Sequence, residues 1–183
     1  MGTGGASDGI RVGLGYDLHR LEPLAPEGRG RPFVLGGVRL EHSRGPVSHS
    51  DGDALMHAVT DALLGAAGLA DIGQLFPDDD SANESRDSAE FLRAAAARLA
   101  SAGWAIVNVD AVVILQRPKI GALKGAMRAN LARALGVEES RVNVKGKTKE
   151  EVDAAGQGLA VEVHAVALLS RAETAARTGS AGS

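Results

Sequence analysis

Segments with strand-type and helix-type apolar spacing alternate along this chain, and that alternation limits the folds open to it. The strand-type segments are residues 11–19, 33–35, 38–40, 104–115, 141–146 and 159–169. The helix-type segments are residues 51–67, 88–102 and 121–135. Interleaved elements of both kinds predict an α/β or α+β sandwich with helices on one side of a sheet. Of the two we expect an α+β fold, a single-domain sandwich in which a mixed β-sheet carries helices on one face.

Length and composition are compatible with one such domain. The chain has 183 residues, of which 44% are hydrophobic, and that is enough for a sizeable core. Residues 1–9 and 173–183 are small and polar without periodicity, so we expect disordered tails around a domain at residues 10–172.

Charge, apolar runs and cysteine content exclude several classes of protein. The formal net charge of −3 argues against a nucleic-acid binder, which needs a basic surface. No apolar run reaches the roughly 18–20 residues that span a bilayer, and the N-terminus has no secretory-signal pattern, so we expect a cytoplasmic protein without membrane partners. The chain has no cysteine, so a zinc site would use His, Asp or Glu.

The first predicted strand has two unlike faces. Its apolar face, which we expect to be buried, carries Val12, Leu14, Tyr16 and Leu18. The opposite face carries Gly13, Gly15, Asp17 and His19. The two glycines leave room for either a ligand or another backbone. Taken alone, Asp17 and His19 fit an ordinary surface pair at a strand end better than a functional site.

The segment H49-S-D-G-D-A-L-M-H57 indicates where a helix begins. Ser50 and Asp53 have capping-box spacing, and the N–H groups of the first turn would offer an anion site to a phosphate. His57 follows Asp53 by four residues and Asp61 follows His57 by four, so the stripe could simply face water. If His57 instead meets Asp17 and His19, the set has three ligands and an open position, as in catalytic zinc sites.

Two later segments could bind phosphate, and each also fits an ordinary turn. Arg117 and Lys119 flank a proline at the end of a buried strand. The segment V144-K-G-K-T-K-E150 contains G-K-T, but Arg141 stands where a P-loop requires glycine, so we exclude a P-loop.

Five collinear motifs together resemble one family, the 2-C-methyl-D-erythritol 2,4-cyclodiphosphate synthases of the non-mevalonate isoprenoid pathway. They are G-x-G-x-D-x-H at 13–19, H-S-D-G-D-A-x-x-H-A at 49–58, T-D-A-L-L-G at 60–65, D-I-G-x-x-F-P-D at 71–78 and R-P-K at 117–119.

The resemblance implies an enzyme with metal cofactors. It would convert 4-diphosphocytidyl-2-C-methyl-D-erythritol 2-phosphate to the 2,4-cyclodiphosphate and release CMP, by phosphoryl transfer within the substrate. A homotrimer would carry the active sites between its subunits. One Zn²⁺ per subunit would be held by Asp17, His19 and His57, and Mg²⁺ or Mn²⁺ would bridge the phosphates with help from Glu150.

The resemblance also implies residue roles. His49 and Thr148 would be catalytic, stabilising the transition state. The implied substrate-binding residues are Asp17, Leu18, His19, His49, Ser50, Asp71, Ile72, Gly73, Phe76, Pro77, Asp78, Asp79, Asp80, Leu115, Gln116, Arg117, Pro118, Lys119, Ile120, Gly121, Lys147, Thr148, Lys149 and Glu150.

This chain departs from the family pattern at two places. The stretch A154-A-G-Q-G158 has no arginine where many members have one lining a central cavity of the trimer, and Lys147 stands where many have threonine. Two other functions are compatible with the residues: a zinc hydrolase with Asp53 or Asp61 as general base, and a trimeric binding scaffold without activity.

Overall fold

A five-stranded mixed sheet with helices on one side forms the framework of the computed structural model, which describes residues 9–77 and 84–172. The strands are β1 Ile10–Pro23, β2 Val34–Leu35, β3 Val38–Arg39, β4 Arg44–Pro46, β5 Trp104–Ile114, β6 Val142–Lys147 and β7 Ala160–Arg171. The helices are α1 Ala54–Ala67, α2 Ile72–Leu75, α3 Ser88–Ser101, α4 Lys124–Leu135 and α5 Asp153–Gly156. Short 3-10 turns precede α4 and β6, at Gly121–Leu123 and Glu139–Arg141.

The sheet has the order β4-β1-β7-β5-β6, and β2 and β3 form a separate hairpin. Strand β7 is antiparallel to both β1 and β5, whereas β5 and β6 are parallel and are connected through α4. The predicted α+β class and mixed sheet are therefore confirmed. Within the described residues, no helix is long and apolar enough to cross a membrane.

Helix α1 packs across the centre of the sheet and supplies much of the core. Leu55, Val59 and Leu63 are fully buried on α1, as are Val161 and Val163 on β7. The helix ends at Gly68, whose left-handed backbone (φ 71°) lets its N–H bond back to the last turn.

The two faces of β1 are reversed relative to the prediction. Val12 and Leu14 are 66% and 69% exposed, and the glycine face packs on α1. A Cβ built on Gly15 would collide with the carbonyl oxygen of Ala58, and one on Gly13 with that of Ala62. The glycines therefore provide clearance for a helix backbone, which decides between the two alternatives left open above.

The start of α1 also differs from the prediction. The helix begins at Ala54 and its N-cap is Asp53, not Ser50. The carboxylate of Asp53 accepts hydrogen bonds from the N–H groups of Leu55 and Met56, both at 3.1 Å. Two N–H groups of the first turn, those of Leu55 and Met56, are therefore satisfied within the chain by the N-cap.

The remaining segments extend the prediction rather than contradict it. Strand β1 continues to Pro23, where it pairs with β4, and neither β4 nor the single turn α2 was predicted. Apart from Gly9, the predicted tails lie outside the described residues, and so do Asp78, Asp79 and Asp80.

Candidate metal centre and active-site cleft

Strand β1 and helix α1 bring Asp17, His19 and His57 together. The Asp17 Oδ2 atom lies 3.1 Å from His19 Nε2 and 3.2 Å from His57 Nδ1, and the two imidazole nitrogens are 3.3 Å apart. Asp17 and His19 leave β1 on the face that the glycines press against α1, and His57 lies one turn into that helix. Within the described residues, these three form the one cluster of His and acidic side chains with metal-binding spacing.

The spacing of these atoms fits a tetrahedral metal ion. Two bonds of about 2.0–2.1 Å at a tetrahedral angle separate their ligand atoms by about 3.3 Å, close to the three distances observed. Two imidazoles and one carboxylate are a donor set that zinc accepts, and three protein ligands leave a fourth position open. The side chains are only partly buried, with exposures of 12% for His57, 14% for His19 and 23% for Asp17.

The triad also favours a positive charge at its centre. Burial alone would raise the pKa of Asp17, but hydrogen bonds from His19 and His57 outweigh it and hold this pKa well below its usual range. Burial would lower the pKa of His57, and the hydrogen bond and charge of Asp17 outweigh that effect and raise it. A metal ion bound between these side chains would therefore meet an ionised Asp17 carboxylate.

The triad lies in a cleft of about 310 Å³. Its wall brings together several of the predicted site residues and three residues that were not predicted, Val47, Ser48 and Phe91. The lining residues are Asp17, His19, Val47, Ser48, His49, Ser50, His57, Ile72, Gly73, Phe76 and Phe91.

Backbone pairing places His49 at this cleft. The carbonyl oxygen of His49 accepts a hydrogen bond from Ser85 N at 2.8 Å, and Asp51 N donates to Arg86 O at 3.2 Å. The guanidinium group of Arg31 donates to both Ser48 O and Ser85 Oγ at 2.8 Å. Arg31 therefore positions the His49 loop, a role that no sequence pattern indicated.

Asp61 and Asp71 fix the opposite wall. Asp61 accepts a hydrogen bond from Ile72 N at 2.9 Å, and Asp71 caps α2 by accepting one from Gln74 N at 2.8 Å. Ile72 and Gly73 thereby face the cleft. In place of the water-facing stripe considered above, Asp61 connects α1 to α2.

The second group of predicted residues lies at the adjacent ends of β5 and β6. Leu115 N donates to Lys147 O at 2.9 Å, and Lys149 N lies 3.4 Å from Gln116 Oε1. The Thr148 hydroxyl donates to Glu150 Oε1 at 2.7 Å. None of these residues is among the described residues that line the metal cleft of the same chain.

Lys149 is already engaged by two carboxylates. Its Nζ atom lies 3.2 Å from Asp153 Oδ2 and 3.4 Å from Glu162 Oε2, and the hydrogen bond to Asp153 raises its pKa. It bridges a turn in which Glu150, Glu151 and Asp153 all have positive φ angles, of 49° to 63°. Lys149 thus holds the turn that presents Glu150.

The sequence of this chain also matches that of known proteins. Residues 10–170 match the sequence profile of the YgbB family. The chain belongs to the YgbB family. A relative from Chromobacterium violaceum, named 2-C-methyl-D-erythritol 2,4-cyclodiphosphate synthase, is 51% identical over 89% of this chain and 99% of its own.

Solved structures of YgbB relatives share the fold. An IspF protein of Plasmodium falciparum, solved as a CDP complex, has a TM-score of 0.77 and 39% identity, covering 90% of this chain and 97% of that one. The bifunctional IspDF of Campylobacter jejuni has a TM-score of 0.82 and 38% identity over 88% of this chain, which spans 42% of that longer protein. The resemblance seen in the sequence motifs is confirmed.

Proposed function

We propose that this protein is a 2-C-methyl-D-erythritol 2,4-cyclodiphosphate synthase. It converts 4-diphosphocytidyl-2-C-methyl-D-erythritol 2-phosphate to the cyclodiphosphate with release of CMP, in the cytoplasm, through a catalytic domain at residues 10–172. The observation that carries the proposal is the convergence of Asp17, His19 and His57 in one cleft with tetrahedral spacing. Membership in the YgbB family and relatives bearing this enzyme name support it.

The proposed reaction needs no nucleophile from the protein. An oxygen of the substrate's 2-phosphate forms a bond to the β-phosphorus, and the bond from that phosphorus to the bridging oxygen breaks as CMP leaves with that oxygen. Asp17, His19 and His57 would hold zinc, and Glu150 would assist Mg²⁺ or Mn²⁺. When bound, these cations supply Lewis-acid charge neutralisation to the diphosphate.

The chain's own residues then bind and orient the substrate. Ile72, Gly73 and Phe76 line the cleft, and we expect this wall to keep water away from the reacting phosphates and so limit hydrolysis. His49 and Thr148 stabilise the charge that develops on the phosphoryl oxygens. The cytidine end of the substrate binds at the ends of β5 and β6, to residues from Leu115 to Gly121 and from Lys147 to Glu150.

We place the active site between subunits of a homotrimer. The outer sheet face, defined by Val12, Leu14, Tyr16 and Leu18 with His164 and Val166 of β7, is exposed and largely apolar in one chain. Such a patch is typical of an interface. Because the cytidine-binding residues do not line the metal cleft of their own chain, a neighbouring subunit would complete the site.

One assay tests the proposal and separates it from the alternatives. Purified protein is incubated with the diphosphocytidyl substrate and Mg²⁺, and products are followed by ³¹P NMR. We expect CMP and a cyclic diphosphate. A linear hydrolysis product would instead identify a zinc hydrolase, and no turnover would identify a binding scaffold. Asp53 is already unsuited as the base of a hydrolase, because it is fully buried and both its oxygens accept backbone hydrogen bonds.

A further inference from the structure

We propose that Ser88 and Asp51 form a hydrogen-bonded pair that orients His57 as a metal ligand and fixes which of its nitrogens carries the proton. The inference rests on the proposed zinc site. It assigns a positioning role to two residues, neither of which holds the metal itself.

Ser88 lies on the far side of the His57 ring from the triad. It is the first residue of α3 and is fully buried. Its hydroxyl oxygen is 2.8 Å from His57 Nε2, whereas the triad contacts of this ring use Nδ1. The two ring nitrogens therefore face two different environments.

Asp51 contacts Ser88 twice. The hydroxyl group of Ser88 makes a short hydrogen bond to Asp51 Oδ1, and the backbone N–H of Ser88 donates to Asp51 Oδ2 at 3.1 Å. Asp51 is itself fixed, because Oδ1 also accepts a hydrogen bond from Asp53 N at 3.1 Å. The carboxylate thus joins the start of α3 to the start of α1.

The direction of each hydrogen bond follows from the count of protons. The hydroxyl group of Ser88 has a single proton and donates it to Asp51 Oδ1. The Ser88 oxygen then accepts from His57, which requires a proton on Nε2. Ser50 Oγ, at 3.2 Å, shares that N–H. When His57 is neutral, its one proton on Nε2 leaves the lone pair of Nδ1 free for a metal ion, whereas the hydrogen bond from Nδ1 to Asp17 in the metal-free chain belongs to the ring protonated on both nitrogens.

This arrangement matters for metal binding because a histidine ligand must be deprotonated at the bound nitrogen and correctly turned. Carboxylates that bind the other ring nitrogen, directly or through one group, also make the ligand more basic. Loss of such a partner typically weakens metal binding about 10–100-fold. The unusual feature here is a serine hydroxyl interposed between the imidazole and the carboxylate.

The test compares zinc affinity, measured by chelator competition, among variants of the full chain. We expect Ser88→Ala to bind zinc about 10–100-fold more weakly than wild type, and to alter the visible spectrum of the Co²⁺-substituted protein. Asp51→Asn keeps an acceptor for the hydroxyl but removes the charge, so it should weaken binding less than Ser88→Ala. Ser101→Ala is the matched control, since this exposed hydroxyl on the same helix bonds to Ala97 O.

Urea unfolding of the metal-free variants shows whether each variant is folded under the conditions of the zinc-affinity measurement. Unchanged zinc affinity and cobalt spectrum in folded Ser88→Ala, with wild type binding zinc, would overturn the inference and leave the proposed function intact. If wild type bound no zinc, both the proposed metal site and this inference would fail.

Discussion

Gly15 on β1 lies against the backbone of Ala58 on α1, with no space between them for a side chain. Gly13 makes the same contact with Ala62 one helical turn further along. These two contacts set how closely the strand approaches the helix. Asp17 follows Gly15 by two residues on the same face, so the close approach is what brings its carboxylate to 3.2 Å from His57.

Substitution of Gly15 by alanine should therefore disrupt both the fold and the metal centre. Because the added Cβ meets backbone atoms that cannot rotate away, we expect a loss of about 3 kcal/mol or more in the free energy of unfolding, measured by urea denaturation. The control is Gly125→Ala on α4, where a Cβ meets nothing within 4 Å. That variant should gain about 0.5–1 kcal/mol. Equal stabilities would contradict the packing argument.

The outer sheet face yields a prediction about assembly. Leu14 is 69% exposed in one chain, so Leu14→Glu should leave the single chain folded but place a charge in the proposed trimer interface. We expect light scattering to show a mass of three chains for wild type and one for the variant. Leu69→Glu, on an exposed apolar residue off that face, should remain trimeric. A wild-type monomer, or a trimeric Leu14→Glu, would refute this interface.

The comparison of β1 with its prediction shows what a sequence pattern can and cannot decide. Alternation of Val12, Leu14, Tyr16 and Leu18 correctly indicated a strand with one apolar face. It could not tell whether that face meets a helix of the same chain or a second chain. The glycines decided the matter, because their lack of side chains allows the helix backbone to occupy the other face.

Local spacing had a similar limit at the metal centre. Spacing within β1 placed Asp17 and His19 on one face, but only the family resemblance joined them to His57 on α1 as one ligand set. The role of Ser88 could not be foreseen, because it lies 31 residues from His57 and only the packing of α3 on α1 brings them together. The capping spacing of Ser50 failed because the helix begins only at Ala54, where Asp53 accepts hydrogen bonds from Leu55 N and Met56 N. The carboxylate of Asp53 also accepts from Gly36 N and Gly37 N.

Removal of one triad ligand should remove the metal. His19→Ala deletes an imidazole whose Nε2 is 3.1 Å from Asp17 Oδ2, leaving two ligands in place of three, so we expect the purified variant to lose bound zinc by elemental analysis. His42→Ala is the matched control, because His42 bonds to the backbone of Arg44 outside the triad, and it should keep the wild-type content. Retained zinc in His19→Ala would show that the ligand set is wrong.

The charge of Asp61 predicts a pH-dependent difference in stability. Burial raises the pKa of Asp61 above its ordinary value of 3.8, although the N–H of Ile72 partly opposes this. Because the pKa of Asp61 is raised in the folded state, its contribution to the free energy of unfolding is most favourable below pH 3.8. This contribution is lost as the pH rises through the folded-state pKa. Asp61→Asn keeps an acceptor for Ile72 without the charge. In metal-free protein, we expect this variant to be more stable than wild type at pH 7.5, and the difference to shrink towards pH 4.5.

Asp153→Asn provides a control of opposite sign for that measurement. Burial would raise the pKa of Asp153, but hydrogen bonds from Gly156 N and Lys149 outweigh it and lower this pKa. Its stabilising contribution is therefore present above pH 3.8 and lost as the pH falls. Urea denaturation at the two pH values should show Asp153→Asn less stable than wild type at pH 7.5. An Asp61→Asn variant that behaved like Asp153→Asn would show that the charge of Asp61 stabilises the connection between α1 and α2.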